Sequence, residues 1–108
     1  DEVNEPVAEL VRYFFADCDY EVIVTSGRNN KFRTVTDQWL IDNNIPYSMM
    51  YMRSEKDNRK DSDVKLDFYN DYIKCKYNVY LVLDDRNQVV NLWRSLGLVC
   101  WQVADGNF

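Results

Sequence analysis

Val79-Tyr80-Leu81-Val82-Leu83-Asp84-Asp85-Arg86-Asn87-Gln88-Val89-Val90 carries the pattern that decides the fold. Val79 to Leu83 is an unbroken apolar run. It reads as a strand covered on both faces, because a strand with one wet face alternates apolar and polar residues. Asp84-Asp85-Arg86 ends the run abruptly. Val89, Trp93 and Leu96 then recur at spacings of three and four, which places them on one face of a helix. A buried strand, a charged turn and an amphipathic helix make the repeating unit of an α/β protein.

The same unit recurs outward from this stretch. Apolar runs at Tyr20 to Thr25, Pro46 to Tyr51 and Leu98 to Val103 read as further strands. Helical spacing connects Val7, Leu10, Val11 and Phe14, then Val35 and Trp39, then Val64, Phe68 and Tyr72. The order helix, strand, repeated four times, predicts an open α/β fold: a mainly parallel sheet with helices on both faces. In such folds ligands gather at the carboxyl ends of the strands. With no internal repeat, low-complexity tract or Pro/Gly/Ser linker, residues 1–108 are expected to form a single domain.

Composition fits one core: 108 residues, 46% apolar and 15% aromatic. Cys18, Cys75 and Cys100 are widely spaced and show no C-x-x-C pairing, so neither a disulfide framework nor a zinc site is indicated, and a reducing cytoplasm is the expected compartment. No apolar run approaches a membrane span, and Asp1-Glu2-Val3-Asn4-Glu5 is unlike the basic head of a secretion signal. Net charge is -5, but residues 28 to 65 hold eight bases against six acids, a local +2, and the remainder five against twelve, or -7. An acidic body with a basic middle suits a small anionic ligand or the end of a nucleic-acid strand; a solvated loop of mixed charge has the same composition.

The strand ends hold the candidates for chemistry. Thr25-Ser26-Gly27-Arg28 offers a hydroxyl, a glycine that lets the backbone turn and a guanidinium that can fork onto an oxyanion. The same residues also make an ordinary turn. Asp84-Asp85 brings together two repelling carboxylates, which a hard cation such as magnesium would neutralise; alternatively they cap the following helix. Between them, Arg53, Lys56, Asp57, Arg59 and Lys60 lead into a helix that Asp61 could cap, with Lys65 one turn on. Together a hydroxyl, a lysine and a carboxylate pair can hold a phosphoryl group and its metal. Trp39, Trp93 and Trp101 read as core, Tyr47 to Met52 as a buried strand and its exit, and Cys100 as an inert buried thiol. Histidine is absent from the sequence, so catalysis would rest on carboxylates.

A strand ending in a hydroxyl residue, a later lysine and a strand ending in Asp-Asp resembles the second, third and fourth motifs of haloacid-dehalogenase phosphatases. At family level, Val24-Thr25-Ser26-Gly27-Arg28, Arg59-Lys60-Asp61-Ser62-Asp63-Val64-Lys65, Asp84-Asp85-Arg86-Asn87-Gln88-Val89-Val90 with Trp93-Arg94, and Cys100-Trp101-Gln102-Val103-Ala104-Asp105-Gly106-Asn107-Phe108 resemble the phosphatase domain of bacteriophage polynucleotide kinase/3'-phosphatase. The resemblance runs through essentially all of the chain, and it makes Phe108 a plausible natural C-terminus.

It implies a Rossmann-like haloacid-dehalogenase fold and hydrolysis of a 3'-phosphate from DNA or RNA ends, in end repair, through an aspartyl-phosphate that water then opens. By that resemblance Ser26 hydrogen-bonds the transferring phosphoryl group, and Arg28 and Arg53 hold the substrate phosphate. Lys65 neutralises the phosphoryl oxygens, Asp61 supports Lys65, Asp85 helped by Asp84 binds magnesium (Mg2+), and Arg86 is a supporting charge. The implied setting is the cytoplasm of a phage-infected host, and assembly as a homo-oligomer is left open.

The chain departs from the family pattern in three ways. The loop Asn29-Asn30-Lys31-Phe32-Arg33 is short. No G-x-x-x-x-G-K-[ST] of a kinase half occurs. The Asp-x-Asp-Gly-Thr motif of the central first strand, source of the nucleophile, is not among the 108 residues, and Asp1 is no substitute because no strand precedes it. A longer polypeptide carrying that motif is therefore expected. Two other functions stay open: a nucleophile-less module that binds phosphorylated ends without hydrolysis, and a phosphatase of small metabolites.

Overall fold

The computed structural model describes residues 2–108; Asp1 lies outside the described residues. Helices and strands alternate as expected: α1 (Glu5–Ala16), β1 (Ile23–Asn29), α2 (Arg33–Asp42), β2 (Met49–Arg53), α3 (Asp61–Phe68), β3 (Val82–Asp84), α4 (Asn87–Ser95) and β4 (Cys100–Gln102). Among the described residues the strands form two parallel pairs, β1 with β2 and β3 with β4. The central strand that the resemblance implies is not one of these elements. The chain divides into two compact units, Asp1–Lys56 and Asp57–Phe108.

In the first unit, Asn4 caps α1 by accepting the Val7 N–H at 3.4 Å. Arg12, on the same helix, donates to the carbonyls of Asn43 (2.9 Å) and Asn44 (2.7 Å). It thereby satisfies groups that the end of α2 leaves without helical partners. Asn44 stops that helix with φ 54°, a left-handed conformation that asparagine tolerates. The core is Leu40, Met50 and Met52, with Val24, Trp39, Ile45 and Tyr47 packed around them. Met49 is exposed while Met50 and Met52 are buried. The methionine-rich run is therefore a one-faced strand, not the fully buried one expected, because β1 covers one edge and α2 residues one face. Val35, expected beside Trp39 on an apolar face, points to solvent.

In the second unit, α4 lays Val89, Val90 and Trp93 against Cys100, with Tyr69, Val82, Leu92 and Leu98 around them. Gly97, at φ 81°, turns the chain out of α4 as the left-handed residue that ends many helices. Arg94 then reaches the Cys100 carbonyl with Nε at 3.3 Å and Nη2 at 3.0 Å. Helix α3 runs on into a π-helical turn, Tyr69–Ile73, which buries Ile73. Cys100 is buried as expected, but Trp101 is 54% exposed, a correction to its expected place in the core. Parallel strands alternate their side chains, so burying Cys100 turns Trp101 outward. Asp61 is likewise not the cap of α3. Lys60 holds that position without a side-chain bond, and the Ser62 N–H is accepted by Gln88 Oε1 at 3.4 Å.

Candidate functional site

Each unit carries a polar cluster at the exit of its first strand. In the first unit, β1 and β2 stay in register to Ser26 opposite Met52, and pairing resumes at Asn29 opposite Arg53. Gly27 and Arg28 are pushed out of the ladder as a bulge, a device that re-aims a strand's end. Ser26 Oγ accepts the Arg28 N–H at 3.1 Å, and Arg53 Nε donates to the Gly27 carbonyl at 2.6 Å. Arg28 is exposed and donates to Thr36 Oγ1 at 3.3 Å. Ser26, Arg28 and Arg53 thus share one small loop: a half-buried hydroxyl with two guanidinium groups, chemistry suited to a phosphate.

In the second unit the cluster is buried. Lys65 Nζ lies 3.5 Å from Asp61 Oδ2, one helical turn back, and 3.4 Å from Asp84 Oδ2 at the end of β3. The Lys65 and Asp84 side chains are each 10% exposed. Arg86 Nη1 stands 3.7 Å from the same Asp61 oxygen. Asp84 is fully engaged: Oδ2 also accepts the Trp93 indole N–H at 3.1 Å, and Oδ1 accepts the backbone N–H groups of Asp85 (2.9 Å) and Arg86 (3.4 Å). Neither acid is the N-cap of α4; Arg86 is, with no side-chain bond.

Asp85 differs. Its half-buried side chain has no hydrogen bond or ion pair among the described residues, although its backbone is held on both sides. The magnesium expected at the Asp84-Asp85 pair meets two unlike carboxylates: one whose acceptor positions are filled from within the protein, and one left open at a strand end. A carboxylate with open oxygens suits a hard cation, and Mg2+ is commonly held by one or two carboxylates with water and substrate phosphate completing its shell. The residues present fit such an ion, which Asp85 would hold, while Asp84 is paired with Lys65. A second group of potential ligands, Asp17, Cys18 and Asp19, lies on an exposed turn where Asp17 already accepts the Asp19 N–H.

Sequence reasoning missed what holds the Asp84–Asn87 turn. Gln102 Nε2 donates to the Asp85 carbonyl at 2.8 Å and to Asn87 Oδ1 at 2.6 Å. The Asn87 N–H donates to the Gly106 carbonyl at 2.8 Å. Arg86 Nε donates to the Phe108 carbonyl at 2.8 Å and lies 5.1 Å over the Phe108 ring. Gly106 is buried so closely against the turn that a Cβ there would sit 1.6 Å from the Asp85 carbonyl oxygen. The signal was present in the rarity of glycine, three in 108 residues. The basic middle is also more structural than its charge suggests. Arg59 is spent on Asp57 (2.8 Å) and Asp67 (2.6 Å), and Arg33 on the Met50 carbonyl (2.7 Å).

The chain matches, over residues 1–108, the family described as polynucleotide kinase PNKP phosphatase domain. It is 38% identical over 98 residues to a putative bifunctional polynucleotide kinase/RNA ligase of Autographa californica nuclear polyhedrosis virus, covering 89% of this chain and 14% of that protein. Two solved structures, titled "Structure of the Pnkp1/Rnl/Hen1 RNA repair complex" and "Structure of Pnkp1/Rnl/Hen1 complex", each contain a chain 41% identical, with TM-score 0.95 over 100% of this chain. The match spans 35% and 38% of those chains, so the 108 residues correspond to a minor part of each relative. A strand-exit hydroxyl with arginines, a buried lysine between two aspartates and a family match along the whole sequence agree: the chain belongs to the polynucleotide kinase phosphatase domain family.

Proposed function

We propose that the chain forms the phosphate- and metal-binding part of a magnesium-dependent 3'-phosphatase acting on DNA or RNA ends during end repair. The observation that carries this reading is Lys65, buried between Asp61 and Asp84, with the carboxylate of Asp85 next in the chain after Asp84. A cation fixed in a low-dielectric place meets charge that builds on phosphoryl oxygens without reorganising, which lowers the barrier. Asp61 and Asp84 hold the ammonium group in place, and Arg86 keeps Asp61 paired. Ser26 donates its hydroxyl proton to a phosphoryl oxygen, and Arg28 and Arg53 fork onto the substrate phosphate. Bound Mg2+ would neutralise developing oxygen charge at Asp85.

In the proposed reaction an aspartate carboxylate oxygen bonds to phosphorus as the bond to the 3'-oxygen breaks, and that oxygen leaves as the 3'-hydroxyl with a proton from the general acid of the same Asp-x-Asp-Gly-Thr segment. Water then attacks the aspartyl-phosphate, releasing inorganic phosphate and restoring the carboxylate. The nucleophile is assigned to an Asp-x-Asp-Gly-Thr segment, which the 108 residues do not contain. The same phosphate- and metal-binding groups also suit a second reading, a module that binds phosphorylated ends without cleaving them. The similarity to chains of an RNA repair complex supports a setting with protein partners and RNA ends. Phosphate release from a 3'-phosphorylated oligonucleotide, measured with magnesium and with a chelator, tests the proposal. Magnesium-dependent release supports the phosphatase, whereas tight binding of the oligonucleotide without release supports the module.

A further inference from the structure

We propose that Phe32 is a stacking platform for the nucleobase that carries the 3'-phosphate, so that the site selects polynucleotide ends over small phosphate esters. This inference rests on the reading of Ser26 and Arg28 as phosphate ligands. Phe32 belongs to neither buried core cluster and is 41% exposed. Its ring is flanked by two cations, with the Arg28 guanidinium carbon 5.4 Å and Lys31 Nζ 5.2 Å from its centroid. Tyr13 is more exposed, at 72%, yet no cation lies over its ring among the described residues. An exposed aromatic ring with cations beside it is the composition of grooves that bind single-stranded nucleic acid, where bases stack and phosphates pair with the charges.

The platform is anchored. Phe32 ends a 3-10 turn, Asn30–Phe32, whose Lys31 N–H is accepted by Asn29 Oδ1 at 2.9 Å. Asn29 Nδ2 also reaches the Glu55 carbonyl at 3.4 Å, and Arg33, the next residue, is tied to the Met50 carbonyl at 2.7 Å. A ring on a backbone held from both sides loses less freedom when a base settles on it. Arg28 connects the ring to the phosphate loop: its N–H is bound to Ser26 Oγ while its side chain lies over Phe32. A base hangs one sugar ring away from its 3'-phosphate, and Phe32 is separated from the Ser26 loop by one arginine side chain. Lys31, on the same ring, suits the next phosphate of the strand.

The test compares wild-type, Phe32→Ala and Phe32→Trp forms of the intact protein. The probes are a 3'-phosphorylated oligonucleotide, the same strand with an abasic terminal nucleoside, and an aryl phosphate. Equilibrium binding of both oligonucleotides is read beside turnover. Phe32→Ala is expected to weaken binding and kcat/KM for the base-bearing strand by about tenfold, the scale of one lost base–aromatic stack. It should leave the abasic strand and the aryl phosphate unchanged, with Phe32→Trp restoring the loss. Equal losses on all three probes would mark Phe32 as merely structural and overturn the proposal, as would full binding of the base-bearing strand by Phe32→Ala. Wild-type protein that binds the strand but releases no phosphate would count against the phosphatase reading alone, because the binding comparison still decides the role of Phe32.

Discussion

The two strand-exit clusters use similar residues to opposite physical ends. At the end of β1 the charged side chains are exposed (Arg28) or half-buried (Arg53) and bound to backbone and hydroxyl groups nearby: Arg53 to the Gly27 carbonyl, Arg28 through its N–H to the Ser26 hydroxyl and through its side chain to Thr36. At the end of β3 they are buried and fixed through one another, Lys65 between Asp61 and Asp84. Arginines in contact with water are screened by it and exchange partners more easily than buried ones, which suits grip on a substrate that comes and goes. A buried ion triad carries a desolvation cost that only good geometry offsets. It is the arrangement expected where charge must already be in place when a reaction begins. Under the proposed function the first cluster would recognise substrate and the second would carry the chemistry.

The largest effects should come from the buried cluster. Lys65→Met leaves Asp61 and Asp84 facing each other without their shared cation, and phosphate release should fall by at least about a hundredfold, as when a preorganised donor is lost. Urea denaturation should show the same variant less stable by roughly 3–5 kcal/mol, the usual result of leaving buried charge uncompensated. A stable, active Lys65→Met protein would break the distinction between the clusters. Asp85→Asn sharpens it, because this carboxylate has no partner to lose among the described residues. Turnover should vanish and the rise of Tm with added magnesium should disappear, while Tm without magnesium stays at the wild-type value. Asp84→Asn should instead lower Tm in the absence of any metal.

Gly106→Ala probes the tail beneath the turn. A methyl group cannot occupy the 1.6 Å space against the Asp85 carbonyl, so the turn must move, at a cost of about 1–3 kcal/mol or more. Magnesium should then bind more weakly, as a titration followed by Tm would register. Arg28→Ala and Arg53→Ala, in the less buried cluster, should each raise KM for a 3'-phosphorylated oligonucleotide by about tenfold, the scale of one charge-assisted hydrogen bond. Their stability should change little by comparison.

The smallest effect concerns Cys100. Burial, and next the charge of Asp84, push its thiol above the ordinary value of 9.0, with Arg94 opposing them. The folded thiol therefore keeps its proton to a higher pH than the unfolded one. Its contribution to stability is complete below pH 9.0 and declines as pH rises through the raised folded value. Tyr47, whose hydroxyl donates to Asp37, is raised above its ordinary 10.0 chiefly by that bond and shifts stability in the same direction. Cys18 and Cys75, both exposed, should react at once with a thiol reagent at neutral pH, and Cys100 only upon unfolding.

Much of this was legible without coordinates. Apolar runs and helical spacing located each strand and α-helix among the described residues, though not the 3-10 turn Asn30–Phe32, because periodicity records which faces are covered. The edges were less legible. Val79–Leu81 is as apolar as Val82 and Leu83, yet pairing with β4 starts only at Val82. Where a ladder begins depends on the neighbouring strand, and no local residue encodes it. For the same reason Trp101 reads as core by composition and stands outside by pleat. Val24 to Arg28, Asp61 to Lys65 and Asp84 to Arg86 were conspicuous because polar residues at strand ends are otherwise unexplained.

By itself the sequence determined the alternating α/β architecture and the residue types at its strand ends, since both follow from local hydrophobic patterning and turn chemistry. Only the tertiary structure decided which charges are partners. It separated Asp84, filled by Lys65, Trp93 and two backbone amides, from Asp85, which those contacts leave open. It also set Gly106 beneath Asp85 and turned Phe32 outward between two cations. Burial and pairing are relations between residues distant in the chain, and adjacent aspartates acquire different chemistry only when folding surrounds one of them with donors.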